Sequence, residues 1–152
     1  MSRTIHFADQ GLLNFSALDI FNVVIDIEKY PEFLPWCTQV KIISQCGNQI
    51  IADVTIMFKR ITASYRSEIT YSAPSDNKVG YIDVKSKHGA FKSLDSQWVF
   101  HQKRPKQTLI KFSIECEFKS RLMHYTMSMM YKKAQEKVMS AFKERIYNLL
   151  RN

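Results

Sequence analysis

A change of hydrophobic period divides this chain into two kinds of structure. Apolar and polar residues alternate with a period of two between residues 40 and 119, most clearly from Ile110 to Lys119. From Ser120 onward the period is 3.6, and no Gly or Pro interrupts it. Alternation is typical of antiparallel strands that bury one face, and the second pattern is typical of an amphipathic helix. We therefore expect an antiparallel sheet followed by one helix of about 28 residues.

The N-terminal part predicts a strand and a short helix. Residues 5–7 can form a first strand, and Ser16 with Asp19 three residues later resembles a helix-capping pair. Apolar residues at helical spacing follow from about Ala17 to Ile27. The expected order is one strand, one or two short helices, about six antiparallel strands and the terminal helix, which is an α+β fold. The length favours a single domain over residues 1–152.

Residues 30–37, Tyr-Pro-Glu-Phe-Leu-Pro-Trp-Cys, are the most unusual segment. Pro31 and Pro35 each lack an amide hydrogen and restrict the preceding residue, so a continuous helix is excluded. The segment nevertheless carries more aromatic and aliphatic surface than a solvated loop. It either fills a core or forms the lip of a cavity for an apolar ligand. Ordinary core packing is the more common use of such apolar rows and of the methionines of the last helix, and it is the default interpretation unless a cavity is indicated.

The charge favours an anionic partner. The chain has 22 Lys and Arg against 14 Asp and Glu, a formal net charge of +8. Such a balance suits RNA or an acidic membrane surface, or it is simply a positive protein surface. Lys59, Arg60 and Arg66 are the candidate surface-docking residues. Because the aromatic residues fall on the inner rows and these cations on the outer ones, nucleic-acid bases would meet charge without a stacking surface.

The sequence gives no support for catalysis. Its four histidines match no metal-binding spacing, and no phosphate loop or nucleophile elbow is present. Cys37 has no basic neighbour and is interpreted as a small buried residue. We therefore expect no metal, no cofactor and no enzymatic activity. The absence of a signal peptide and of about 18 consecutive apolar residues favours a cytoplasmic location, with peripheral association at the inner membrane consistent with the charge.

With these residues in view, the sequence resembles the START-like family of coenzyme Q-binding proteins, which includes the bacterial ribosome association toxin RatA. The resemblance rests mainly on residues 30–37. Further matches are Gly89 with Phe91, and the approach to the last helix at residues 120–122. It implies a helix-grip fold, in which a curved antiparallel sheet wraps around the long C-terminal helix and leaves an apolar cavity.

The resemblance also implies a function. Family members are associated with binding ubiquinone and supporting respiration without catalysing a reaction, and the bacterial branch with binding the large ribosomal subunit and blocking subunit association. For this chain, the resemblance implies that a polyprenyl quinone is the bound ligand. A further partner would be an anionic membrane or the large ribosomal subunit. The least favoured alternative is that the protein is an enzyme of the polyketide cyclase type. The expected portal residues are Tyr30, Phe33, Leu34, Pro35 and Trp36. The expected cavity residues are Phe58, Tyr65, Leu94, Trp98, Phe112, Met127, Met130 and Tyr131.

Overall fold

One curved sheet and two α-helices make up the part of the chain, residues 4–151, that the computed structural model describes. The strands are β1 (Ile5–Leu13), β2 (Cys37–Cys46), β3 (Gln49–Phe58), β4 (Ile61–Ser72), β5 (Gly80–Gly89), β6 (Phe91–Arg104) and β7 (Gln107–Phe118). The helices are α1 (Ala17–Ile25) and α2 (Arg121–Leu150), with a 3-10 helix (Ile27–Glu32) between α1 and β2. The strand order in space is β1-β7-β6-β5-β4-β3-β2, and every neighbouring pair is antiparallel. The predicted α+β helix-grip architecture is confirmed.

The predicted alternation along the strands is also observed. In β3, Ile50 and Ala52 are buried on the inner face, whereas Asp53 faces outward and pairs with Arg66 of β4 at 2.8 Å. On β7, Glu117 pairs across the sheet with Lys92 of β6 at 3.5 Å. These charged pairs are solvated and add little stability each. Their positions show that this face of the sheet is exposed to solvent.

The first helix begins as predicted and ends two residues early. The Ser16 hydroxyl accepts a hydrogen bond from the Asp19 amide at 3.2 Å, which caps α1. The helix ends at Ile25, and the chain continues as the 3-10 helix that includes Pro31. A short 3-10 turn tolerates this proline where a longer α-helix would not. The irregular part of the aromatic segment therefore starts at Phe33.

The terminal helix is 30 residues long, close to the predicted length. The Ser120 hydroxyl caps it by accepting from the Met123 amide at 3.2 Å. The 3.6 period from Ser120 onward predicts Leu149 as the last residue of the apolar stripe of this helix. This assignment is wrong, because the last turn presents Leu150 to the core and leaves Leu149 exposed. Met139, outside the predicted stripe, is buried. Among the described residues, no helix combines the length and apolar character needed to cross a bilayer.

The buried side chains form two separate clusters on the inner side of the sheet. The α1 cluster joins α1 and the second half of α2 to the sheet centre, and the Met123 cluster joins the start of α2 to the ends of β1, β6 and β7. The α1 cluster consists of Leu13, Ala17, Ile20, Phe21, Val24, Ile27, Ile50, Ala52, Ile69, Ile82, Trp98, Phe100, Ile110, Phe112, Met139, Phe142 and Ile146. The Met123 cluster consists of Ile5, Phe91, Leu94, Cys116, Phe118 and Met123.

Candidate ligand cavity

A cavity of about 260 Å³ is enclosed by residues of both clusters, the concave face of the sheet and α2. Its wall contains aliphatic and aromatic side chains, several neutral polar ones and no charged one. The lining residues are Ile5, Ile27, Tyr30, Leu34, Pro35, Trp36, Cys37, Val40, Val54, Ile56, Phe58, Ile61, Tyr65, Ser67, Ile69, Ile82, Val84, Phe91, Leu94, Ser96, Trp98, Phe112, Ile114, Cys116, Phe118, Met123, Thr126, Met127, Tyr131, Ala134, Gln135, Val138 and Phe142.

We assign the mouth of the cavity to the space between residues 34–37 and α2, both of which contribute lining side chains. The lining side chains there, Leu34, Pro35 and Trp36 on one side and Tyr131 and Gln135 on the other, are half-buried rather than buried. On its other side α2 packs against α1, β1 and β7. The helix therefore closes one side of the cavity and leaves an opening on the other.

Tyr30 ties the 3-10 helix to α1. Its hydroxyl donates a hydrogen bond to the Val24 carbonyl oxygen, and its ring meets the Phe142 ring edge-on with centroids 5.2 Å apart. Burial raises the pKa of the Tyr30 phenol well above its ordinary value, so the group is a neutral donor at physiological pH. This anchoring places the following residues, Leu34 to Trp36, at the mouth.

Three contacting aromatic rings form one part of the cavity wall. The Trp98 ring lies 4.8 Å from Phe112 and 4.9 Å from Phe142, centroid to centroid. Tilted and edge-on contacts at such distances are the favourable geometries for aromatic rings. The three rings therefore pack against one another and form a continuous aromatic surface in the wall.

The polar groups of the cavity are all neutral. Burial raises the pKa of Tyr65, partly opposed by its hydrogen bond with Ser67. Burial likewise raises the pKa of Cys37 to about 11 and that of Cys116 to about 12, so both are thiols rather than thiolates. Ser96, Thr126 and Gln135 complete the set. Such a wall can donate hydrogen bonds to a neutral ligand, but it offers no ionised acid, base or nucleophile.

Most of the residues predicted from the sequence meet at this cavity, with two exceptions. Phe33 does not line it, because its ring packs against Phe142 at 5.4 Å and under the Arg145 guanidinium at 5.0 Å. Met130 is half-buried on α2 and also lies outside the lining. Sequence reasoning missed Ser67 and Gln135, although Ser67 follows Tyr65 on the same strand face and Gln135 lies one helical turn beyond Tyr131.

The three predicted surface-docking residues do not form one patch. Lys59 and Arg60 occupy the tip of the β3–β4 hairpin, both with positive φ, at 46° and 71°. Arg66 lies on the outer face of the sheet, where Asp53 accepts from its Nε at 2.8 Å and from its Nη2 at 3.1 Å. Arg66 is therefore partly neutralised, whereas the hairpin tip carries two exposed cations.

No metal centre is evident within residues 4–151, where no group of three or more His, Cys, Asp or Glu side chains is placed to hold an ion.

Comparison with known proteins places this architecture in a family. The family model described as "Polyketide cyclase / dehydrase and lipid transport" matches residues 13–143. The chain belongs to this family. The matched residues run from the end of β1 to well inside α2, so the family match includes residues 34–37, the strands β2 to β7 and most of the helix. The predicted START-like resemblance is thereby confirmed.

Relatives within this family carry two kinds of name. The chain is 29% identical to the ribosome association toxin RatA of Rickettsia prowazekii, over 95% of this chain and 98% of that protein. It is 26% identical to the mitochondrial coenzyme Q-binding protein COQ10 homolog B of Xenopus laevis, over 96% of this chain but only 61% of that protein.

Solved structures share the fold at low sequence identity. A START superfamily protein from Mycobacterium smegmatis has a TM-score of 0.74 at 17% identity, with 95% of this chain and 98% of that chain covered. The Zhui aromatase/cyclase from Streptomyces sp. R1128 has a TM-score of 0.78 at 8% identity, with 97% of both chains covered. Because proteins of one fold can have unrelated activities, these similarities support the architecture only. The function has to be argued from the residues of the cavity.

Proposed function

We propose that this protein binds a polyprenyl quinone such as ubiquinone, or a closely similar neutral lipid, in its apolar cavity and supports respiratory electron transport without catalysing a reaction. The observation that carries the proposal is the cavity itself: about 260 Å³ between two core clusters, with no charged residue in its wall. A ligand suited to this wall is uncharged and largely hydrocarbon.

The energetic cost of such a space favours a ligand. Because the cavity is open to solvent and its wall is apolar, an unliganded cavity keeps apolar surface in contact with water. A lipid that filled the space would remove this surface from water and gain hydrophobic free energy at about 25 cal/mol per Å².

The size and chemistry of the cavity fit a ring with part of a tail. An apolar cavity of about 150 Å³ is large enough for benzene. This cavity is larger and is open to solvent, so the remainder of a long tail has an exit. Tyr65, kept protonated by burial, is a hydrogen-bond donor suited to a quinone carbonyl oxygen.

A cyclase-type reaction is less favoured by the same wall. General acid–base catalysis needs groups whose pKa values lie near the working pH. Here the pKa values of Tyr30, Tyr65, Cys37 and Cys116 are all raised away from neutrality. The name of the coenzyme Q-binding relative, at 26% identity, adds independent support for a lipid ligand.

The decisive experiment is to purify the protein from a ubiquinone-making host and to quantify quinone in an organic extract by mass spectrometry. We expect close to one quinone per chain in the wild type. The variant Ser67→Leu/Ala134→Leu, which fills the cavity from the sheet and the helix, should lose most of it. Ala141→Leu, on the same helix but outside the lining, is the matched control and should retain it. An extract of folded wild-type protein without quinone or similar lipid would contradict the proposal.

A second candidate is association with the ribosome, specifically binding to the large subunit that blocks subunit joining. It is favoured by the RatA relative, of which the chain covers 98%, and by the net charge of +8. Docking on ribosomal RNA predicts steep loss of cosedimentation with rising salt. Reversing Lys59 and Arg60 should weaken it more than reversing Arg66, which Asp53 already neutralises in part. Salt-insensitive or absent cosedimentation would contradict this candidate.

A further inference from the structure

The first half of α2 exposes apolar side chains on the face turned away from the cavity. Leu122, Tyr125 and Met129 are 67%, 65% and 70% exposed, the highest values among the large exposed apolar residues of the described chain. Their spacing of three and four residues puts them on one stripe of the helix. Exposed apolar residues scattered singly need no explanation, but three adjacent ones on a single helix face mark a contact surface. We call this stripe the α2 outer face.

Unpaired cations surround the α2 outer face. Residues 119–137 contain five Lys or Arg and a single acidic residue, Glu136. Lys132 and Lys133 lie about one turn beyond Met129 and flank the stripe on either side. Both are exposed, and neither forms an ion pair within residues 4–151.

The start of the helix adds to the positive potential. The first turn of α2 contains Arg121 and no acidic residue. Helix N-termini normally favour acidic side chains, because the backbone dipole is positive there. Here the first turn carries a basic side chain instead of an acidic one, so its charge adds to that of the helix dipole. The apolar side chains of the α2 outer face therefore lie in a region of positive electrostatic potential.

We infer that the α2 outer face docks on an anionic phospholipid bilayer. Leucine and methionine side chains would enter the acyl boundary, Tyr125 would sit at the headgroup level, and the flanking lysines would meet lipid phosphates. RNA fits less well, because phosphates and bases offer no counterpart for exposed Leu and Met. The inference extends the proposed function, since the same turns of α2 that carry Met129 outward carry Met127 into the cavity wall. Docking would bring α2, which forms one wall of the cavity, next to the bilayer that holds the lipid.

The test is flotation of the purified full-length protein with vesicles of phosphatidylcholine alone and of phosphatidylcholine mixed with phosphatidylglycerol. We expect binding to the mixed vesicles only. Leu122→Ser/Met129→Ser and Lys132→Glu/Lys133→Glu should each lower the partition coefficient at least about tenfold. The matched controls are Leu12→Ser/Leu149→Ser, which changes two other exposed leucines, and Lys103→Glu/Lys106→Glu, which makes the same charge change at the β6–β7 turn. Both controls should bind like the wild type.

Several results would overturn the inference. They are a wild type that does not float with the mixed vesicles, variants and controls that lose binding equally, or a K132E/K133E variant that loses ribosome cosedimentation but keeps vesicle binding. Light scattering without vesicles gives a further check, because a wild-type dimer that L122S/M129S converts to monomer would assign the face to a second copy. Quinone content is measured on the same samples. Quinone-free protein that still floats would defeat the proposed function and leave docking intact, whereas quinone-loaded protein that does not float would do the reverse.

Discussion

The indole of Trp36 meets the ring of Phe58 edge-on, with the ring centroids 5.1 Å apart. The backbone is fixed at the same place, because the Met57 amide donates to the Trp36 carbonyl oxygen at 2.8 Å. Trp36 has a φ of 68°, a conformation that costs a bulky residue about 1–2 kcal/mol. Both aromatic rings line the cavity. The contacts to β3 therefore hold a strained residue at the cavity mouth, where it can cover an apolar ligand.

Replacing Trp36 with Ala should lower quinone retention several-fold and leave the sheet folded. The substitution removes apolar surface that would cover the ligand at the mouth, and the half-buried position limits the loss of core packing. The measurement is quinone per chain by mass spectrometry, with far-ultraviolet circular dichroism as the check on folding. Tyr81→Ala, a half-buried aromatic residue outside the cavity lining, is the control. Unchanged lipid content in a folded Trp36→Ala protein would remove Trp36 from the site.

The hairpin tip beside this contact should be a site of stored strain. Lys59 and Arg60 form a two-residue hairpin loop between paired Phe58 and Ile61, and both have positive φ. Asn-Gly is the preferred pair for such a turn. We expect Lys59→Asn/Arg60→Gly to raise the free energy of unfolding by about 1–2 kcal/mol in urea titration. The same exchange at Lys103 and Arg104, neither of which has positive φ, should give no gain. Equal effects at the two sites would show that charge rather than backbone strain is responsible.

A larger side chain at Ala134 of α2 should fill part of the cavity, which raises the stability of the lipid-free protein and lowers the amount of quinone it binds. Ala134 is buried and lines the cavity, so a leucine there would project into open space. Cavity-filling substitutions commonly add about 0.5–2 kcal/mol of stability. Ala134→Leu is therefore expected to unfold at a higher temperature when lipid-free and to bind less quinone. Ala141→Leu, outside the lining, is the control and should not combine a higher unfolding temperature with a lower quinone content. A destabilised Ala134→Leu protein with full quinone content would contradict the position assigned to Ala134.

The strand part of the site could be predicted because alternation is a simple geometric rule. Once one face of the sheet is inner, Tyr65, Trp98 and Phe112 must share it, and the structure places all three in the cavity wall. The starts of the two helices were also readable, since Ser16 and Ser120 have the side chains that cap helix N-termini.

The remaining parts of the site depend on packing that no local pattern encodes. Phe33 follows a 3-10 helix in an irregular segment, so no period determines which way its ring turns. The 3.6 period gives the apolar stripe of α2, but the way α2 lies across the sheet decides that Met127 reaches the cavity and Met130 does not. The cavity volume was unpredictable for a related reason: the same residue types line a cavity and fill a core.

The buried thiols should make the protein lose stability in alkali. Burial raises the pKa of Cys37 to about 11 and that of Cys116 to about 12, whereas an unfolded thiol has a pKa of about 8.5. Above that lower value the unfolded chain releases protons that the native state retains, so the free energy of unfolding falls as pH rises. The contribution of the two protonated thiols to stability is complete below about pH 8 and is lost progressively as pH rises through their native-state pKa values.

We expect urea titrations from pH 7 to 11 to show this decline in the free energy of unfolding, and we expect Cys116→Ala to reduce its slope. Cys46→Ala, which removes an exposed thiol, is the control and should leave the slope unchanged. A slope unaffected by Cys116→Ala would place the alkaline sensitivity on the other groups with raised pKa values, which are Cys37, Tyr30 and Tyr65.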